Sequence, residues 1–355
     1  MRRRNFLKSS IALAATLTSL KSISEVFTDP DYKHLPRWRG FNLLEKFDGN
    51  SNQPYKEMDF KMIHEMGFNF VRLPMSYRCW STTENWYQIN ENVLKEIDQA
   101  IEYGHKYNIH VNLNMHRIPG YCVNPPEEPL NLWKDEKALN AAAFQWGKFS
   151  ERYKGISNNR ISFDLINEPA NVNEQDYVKV IRGISDMIRS KDSKRLIIID
   201  GLQYGTIPVT SAIDLKLAQS SRGYGPFQLT HYNASWARGS DTWPVPTWPY
   251  HNNNGPEWNK ERMIKETYAP WKELADKGLG VHIGEWGAYN FTPHEVVLNW
   301  MTDLLSIWKQ YGWGWSLWNF RGPFGILDSG RSDVTYENYN GHKLDKKMLE
   351  LLQNN

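Results

Sequence analysis

What most limits the folds open to this chain is an alternation. From about residue 37 onward, short apolar runs take turns with longer stretches of helical periodicity, which is the pattern of strand–helix–strand units. The first run is Arg39-Gly-Phe-Asn-Leu43, followed by a helical pattern over 58–66 that Gly67 ends. The second run, Asn69-Phe-Val-Arg-Leu73, is broken by Pro74. The helix expected over 93–107 carries apolar residues at 93, 94, 97 and 101, a single buried face. Further runs lie at 109–115, 161–166, 196–200, 227–230, 280–283 and 313–317, with helical patterns at 136–152, 174–190, 257–277, 294–310 and 343–353. Only the fifth helix is poor, because Pro208 interrupts it and 220–226 reads as loop. Eight strands alternating with helices predict an α/β fold, a (β/α)8 TIM barrel in a single domain. The competing open sheet would need a glycine-rich phosphate loop after its first strand, and none is there. The 355 residues suit one such barrel, and no repeat or linker divides them.

The formal charge of +2 hides an asymmetry. Arg2, Arg3, Arg4, Lys8 and Lys21 all precede the first acid, Glu25, which leaves 37 basic against 40 acidic residues in the rest. No basic stripe remains for phosphates, so nucleic acid is not an expected partner. The basic start, with Arg3-Arg4-Asn-Phe-Leu-Lys8 ahead of a weakly apolar run from Ile11 to Leu20, reads as a twin-arginine-like export signal within residues 1–28. That run is too short to span a bilayer, so residues 29–355 are expected as an exported, periplasmic or extracellular catalytic domain without a membrane span. An uncleaved anchor or a tail is the alternative. Cys79 and Cys122 fall in adjacent loops of one barrel face, and a disulfide and two free thiols are both open.

Active sites of such barrels lie at the C-terminal ends of the strands. Those ends give Arg72, His116, Asn167-Glu168, His231-Tyr232, Glu285 and Trp318, each where an apolar run stops. Carboxylates after strands four and seven face each other across the barrel mouth. Cleaving a glycosidic bond needs such a pair, one to protonate the leaving oxygen and one to attack the anomeric carbon. The acid must stay neutral and the nucleophile charged, and Arg72 is placed to hold Glu285 ionised. Each residue also has a plainer role open to it: a rim ion pair for the acids and Arg72, a satisfied rim histidine for His116, a plug of the barrel end for Trp318. Glu45 and Asp200 look like rim hydrogen-bonding partners rather than catalysts.

Phe163-Asp-Leu-Ile-Asn-Glu-Pro169, with Val71-Arg-Leu-Pro74, Met115-His-Arg-Ile-Pro-Gly120, Ile283-Gly-Glu-Trp-Gly287 and Trp315-Ser-Leu-Trp318, resembles glycoside hydrolase family 5, the cellulase-like retaining β-glycosidases. Five motifs in order cover roughly residues 37–345. The resemblance implies Glu168 as acid/base, Glu285 as nucleophile and Asn167 as the residue bonding the 2-hydroxyl of the −1 sugar. It further implies Arg72 beside the nucleophile, His116 on the substrate and Trp318 as the platform under the −1 sugar. It implies a β-linked glycan (β-glucan, β-mannan or a related hemicellulose) as substrate; nothing in the sequence has a metal-ligand spacing, so no cofactor or metal is expected, and the chain is expected as a monomer.

The family usually has His-x-Tyr after strand six, whereas this chain has Thr230-His231-Tyr232-Asn233 at the expected place. Either Tyr232 takes the tyrosine's part beside the nucleophile or His231 keeps the histidine's; a phenol can donate to a carboxylate, which favours Tyr232. The loop beyond interleaves Trp236, Trp243, Trp248 and Trp258 with Pro244, Pro246 and Pro249. Its indoles either line a cleft for successive sugar rings or pack on one another. Aromatic residues are 14% of the chain, more than a core requires. Other functional readings are a barrel that binds glycan without cutting it, which should lack one carboxylate, a transglycosylase of the same fold, and a metal-dependent hydrolase, which needs clustered histidines or a carboxylated lysine and is disfavoured because no His-x-His follows strand one.

Overall fold

The computed structural model describes residues 29–251 and 255–355; the proposed export segment, residues 1–28, lies outside the described residues. Eight parallel strands form the barrel: β1 Arg39–Asn42, β2 Phe70–Ser76, β3 His110–Ile118, β4 Ile161–Asp164, β5 Ile197–Asp200, β6 Ala218–Gly223, β7 Val281–Trp286 and β8 Gly314–Leu317, with the short segment Tyr121–Cys122 added antiparallel to the end of β3. Each pairs with the next, and β1 pairs with both β2 and β8, so the sheet closes into a barrel with no free edge. Closure satisfies every strand's backbone on both sides.

Helices coat the outside. Glu91–Lys106 buries Val93, Leu94, Ile97, Ala100, Ile101 and Gly104, the stripe that 3.6-residue periodicity demands, and Asn90 caps its first turn by accepting from Asn92 N. Glu136–Arg152, Glu174–Lys191 and His294–Tyr311 form the other long members of the coat. Between β5 and β6 the coat thins to a short turn, Leu202–Gly205, and a 3-10 segment, Thr210–Leu215, as Pro208 leads one to expect.

The sixth strand is the one misplaced by hydrophobic pattern. Phe227–Thr230 is a single helical turn, and the strand is Ala-Gln-Ser-Ser-Arg-Gly, residues 218–223, in what reads as loop. All six residues are buried although four are polar. Their partners explain this: Gln219 exchanges hydrogen bonds with the backbone of Val209 (2.9 and 2.8 Å), and Arg222 Nη1 donates to Ser220 Oγ at 3.0 Å. The barrel interior is polar elsewhere too. Asn112 Nδ2 and His110 Nε2 meet Ser162 Oγ at 2.9 and 2.7 Å, and the buried Ser316 Oγ donates to the Gly284 carbonyl at 2.6 Å.

Two glycines are set by close approach. β7 carries one extra residue, Gly284, against β6, so that Arg222 comes into register with Glu285. A Cβ on Gly284 would lie 2.4 Å from Ser220 Oγ and 2.8 Å from Arg222 Nη1. On β6, a Cβ on Gly223 would lie 2.7 Å from Trp286 Cβ and 3.0 Å from the Trp308 ring, which belongs to the coat.

Candidate active site

The strand ends converge as the sequence implies for Arg72, His116, Asn167, Glu168, Glu285 and Trp318. β7 runs further than expected, so Glu285 lies inside the strand and is only 3% exposed. Arg72 is buried beneath it. Its Nη1 donates to Glu285 Oε1 at 2.5 Å and to Asn42 Oδ1 at 3.1 Å, its Nε to Asp164 Oδ2 at 2.9 Å, and its Nη2 to Asn167 Oδ1 at 2.8 Å. Asn42 in turn donates to the Gly284 carbonyl at 3.1 Å, tying β1 to the strand that bears Glu285.

Glu168 follows β4 in the left-handed region, φ 46°. A non-glycine residue is held there only when its surroundings fix it. Its N–H donates to Asp200 Oδ2 at 2.8 Å, and its carbonyl accepts from Tyr121 Oη at 2.7 Å, while Tyr121 Oη accepts from Ala170 N–H. The turn aims the Glu168 side chain at a second buried guanidinium. Arg222 Nε donates to Glu168 Oε1 at 2.9 Å, its Nη1 to Asp200 Oδ1 at 3.0 Å, and its Nη2 to Asn167 Oδ1 at 2.8 Å, to Asp200 Oδ2, and more loosely to Glu285 Oε1 at 3.4 Å. Both guanidinium groups thus grip Asn167 Oδ1, which fixes the amide so that its buried Nδ2 is left without a protein partner.

Two guanidinium groups face four carboxylates: Asp164, Glu168, Asp200 and Glu285. Burial of that surplus negative charge favours the protonated form of two of them. Burial first, and then the Glu285 charge, pushes the Glu168 carboxyl up to about 7 against the pull of Arg222. Burial and Asp200 push Asp164 up to about 7 as well. Burial works to lower both guanidinium groups, yet the carboxylates outweigh it and hold them above their ordinary value, so both stay charged. Glu168 is therefore poised to hold a proton at neutral pH while Glu285 is gripped by donors.

His116 is neutral: burial, then Arg72 and Arg222, drive it well below the usual imidazole range. It stacks against Trp318 (centroids 5.9 Å), and both rings lean on Phe47. Trp318 is half-buried at the mouth rather than a plug. Cys79 and Cys122 are free thiols, each bonded to a backbone carbonyl, which removes the disulfide alternative.

Because β6 lies earlier than expected, the pair His231-Tyr232 does not enter this network. His231 stacks on Phe227 (4.1 Å) with Nδ1 against Thr230 Oγ1, and Tyr232 makes no hydrogen bond to either catalytic-site carboxylate. The phenol that donates to Glu285 is Tyr224, Oη to Oε2 at 3.3 Å. Arg222-Gly223-Tyr224 thus takes the position expected for His-x-Tyr, with arginine in place of histidine. Sequence reasoning missed Asn42, Asp164, Arg222 and Tyr224; the x-Gly-Tyr spacing was the available signal, masked by the polarity of its strand. Among the described residues, no group of three or more His, Cys, Asp or Glu side chains is arranged to hold a metal ion, and no helix is long and apolar enough to cross a membrane.

The four tryptophans of the loop after β6 divide, with Trp243 half-buried edge-on to Phe227 at 5.9 Å. Trp248 packs inward and donates to Asp303 at 2.9 Å, and Trp258 lies under Arg262, 3.9 Å from its guanidinium carbon. Trp236 is 59% exposed and joins Phe324, Tyr289 and His231 in an aromatic wall that leads back to Tyr224.

The family model for cellulase (glycosyl hydrolase family 5) matches residues 28–322. Endoglucanase C of Acetivibrio thermocellus is 26% identical over 306 residues, 79% of this chain and 88% of that protein. Cellodextrinase A of Ruminococcus flavefaciens is 23% identical over 266 residues, 72% of this chain and 76% of that protein. Among solved structures, a glycoside hydrolase crystal structure superposes with a TM-score of 0.86 at 39% identity, covering 90% of this chain and 99% of the other. Endoglucanase Cel5A of Thermotoga maritima shares the fold with a TM-score of 0.73 at 24% identity, covering 89% and 96%.

Proposed function

As a member of glycosyl hydrolase family 5, the chain is a glycoside hydrolase, and we propose that it cuts β-linked glucan or a related hemicellulose by double displacement, with Glu285 as nucleophile and Glu168 as acid/base. The observation that carries this reading is the unequal treatment of the two carboxylates. Glu285 accepts from Arg72, Tyr224 and Arg222, whereas Glu168 is pushed up to about 7 and so can carry the proton a leaving oxygen needs.

In the first step a Glu285 oxygen bonds the anomeric carbon while Glu168 gives its proton to the departing oxygen, which leaves with the bonding pair. In the second, Glu168 takes a proton from water, the water oxygen bonds the anomeric carbon, and the pair of the ester bond returns to Glu285. Asn167 Nδ2, with its oxygen locked by two arginines, is the donor for the sugar hydroxyl beside the anomeric carbon, and Trp318 with His116 forms the platform under the ring. His231 and Tyr232 act further out, where His231 backs the aromatic wall. The relatives named endoglucanase and cellodextrinase support β-glucan as the substrate, and the basic and apolar run over residues 1–23 supports export of the domain over 29–355.

The test is a panel of β-glucans, β-mannans and β-xylans with product sizes and the first-formed anomer read by proton NMR. Cleavage of a β-glucan with the β-anomer appearing first is expected. An initial α-anomer would show inversion, with the carboxyls further apart than the roughly 5–5.5 Å a retaining pair needs.

A further inference from the structure

Resting on that reading, we propose that Arg222 is a positioning residue that turns Glu168 from acid into base once Glu285 has been esterified, so that breakdown of the covalent intermediate depends on it more than formation does. The geometry is a three-part chain. Asp200, fully buried, takes both Nη groups of Arg222; Ser220 Oγ and Asn167 Oδ1 take further hydrogens; and this leaves Nε directed at Glu168 Oε1 at 2.9 Å. A guanidinium so held cannot follow a moving carboxylate, and it cannot lose its proton.

Groups facing Glu168 and Arg222 come from every side of the barrel mouth: Asp164 beneath, Asp200 on β5, Tyr224 directly after β6, Glu285 on β7, Arg72 on β2 and the neutral His116 on β3. In the free enzyme Glu285 and Arg222 act on Glu168 in opposite directions, the carboxylate favouring its protonated form and the guanidinium its charged form. Formation of the glycosyl ester removes the Glu285 charge and nothing else. Arg222 is then the nearest charge to Glu168 and favours its carboxylate, the form that must take the proton from water. A histidine at this position would supply that pull only while protonated, whereas arginine supplies it at every working pH.

Each step can be read alone with a dinitrophenyl β-cellobioside carrying fluorine in place of the hydroxyl next to the anomeric carbon. Loss of free enzyme reports ester formation, and recovery of the isolated adduct reports its hydrolysis; the dinitrophenolate needs no proton to leave. For Arg222→Gln, recovery should fall by at least about 30-fold, short of the roughly 100- to 10,000-fold that a general base contributes in full, while ester formation falls by less than about 5-fold. The rising limb of recovery against pH should move up by about one unit. Arg222→Lys, which keeps the charge, should regain most of the recovery rate, and it guards against a Gln variant that fails to fold. Equal losses in both steps, or an unmoved pH limb with lysine no better than glutamine, would overturn the proposal. No adduct on wild type from this reagent or its mannobioside counterpart would instead overturn the double-displacement reading itself.

Discussion

A carboxyl that gives up a proton and takes it back must be poised near the working pH, and Glu168 meets that condition through burial and the Glu285 charge. Two substitutions separate the partners. Glu285→Gln should cut turnover by several orders of magnitude with folding and glycan binding kept, as steady-state rates and isothermal titration would show; a loss under about tenfold would exclude it as the covalent nucleophile. Glu168→Ala should be nearly inactive on a natural glycan yet keep a fast first step on an aryl glycoside with an acidic phenol, with azide entering the product. Equal inactivity on both substrates without azide rescue would assign Glu168 a structural role. These two residues, with Arg72 and Asn167, were legible because polar residues at the ends of apolar runs stand out. Arg222 and Tyr224 were not, because nothing apolar precedes them. Asp164 sits inside an apolar run, and its part as the counter-ion of Arg72 appears only when β2 and β4 are set on either side of β3.

At the scale of elements, β6 explains most of what the sequence concealed. Hydrophobic periodicity detects strands through side chains that prefer oil to water, and β6 buries Gln219, Ser220, Ser221 and Arg222 by satisfying most of their polar atoms. The apolar turn at Phe227–Thr230 then drew the assignment nine residues downstream, and the His-x-Tyr comparison with it. The tryptophan-rich loop was legible only as two alternatives, and the structure divides its indoles: Trp236 stands exposed in an aromatic wall, whereas Trp248 and Trp258 pack against Asp303 and Arg262. From this follows a paired expectation. Trp236→Ala should lower kcat/KM on a long β-glucan by about 5–50-fold, the worth of losing a stacked ring, and leave a short aryl glycoside unchanged. Trp248→Ala, which removes a packed ring and its bond to Asp303, should lower the melting temperature and spare that discrimination. If both variants lose long and short substrates alike, the wall does not bind the chain.

For the whole molecule, the barrel follows from the alternation of runs, since eight strand–helix units have few other ways to bury both faces of a parallel sheet. Its site also leaves a mark on stability. Glu168 and Asp164 have folded-state values near 7 against roughly 4 in an unfolded chain, so the native state holds their protons more tightly. Their contribution favours folding below about pH 4 and is lost as pH rises through about 7. Glu168→Gln should therefore melt a few degrees above wild type near pH 8 and close to it near pH 4, read by calorimetry across pH; a gain confined to acid would contradict the sign.

Gly223 gives the outer coat a say in the chemistry. It lies between Arg222 and Tyr224, and the space its missing side chain leaves is filled by Trp286 and by Trp308 from the outer helix His294–Tyr311. Those indoles act as a shim whose thickness sets how far two active-site side chains protrude. Anyone remodelling the helical layer for heat tolerance would thus be retuning the enzyme from behind, and a smaller side chain at position 308 should lower turnover as well as the melting temperature.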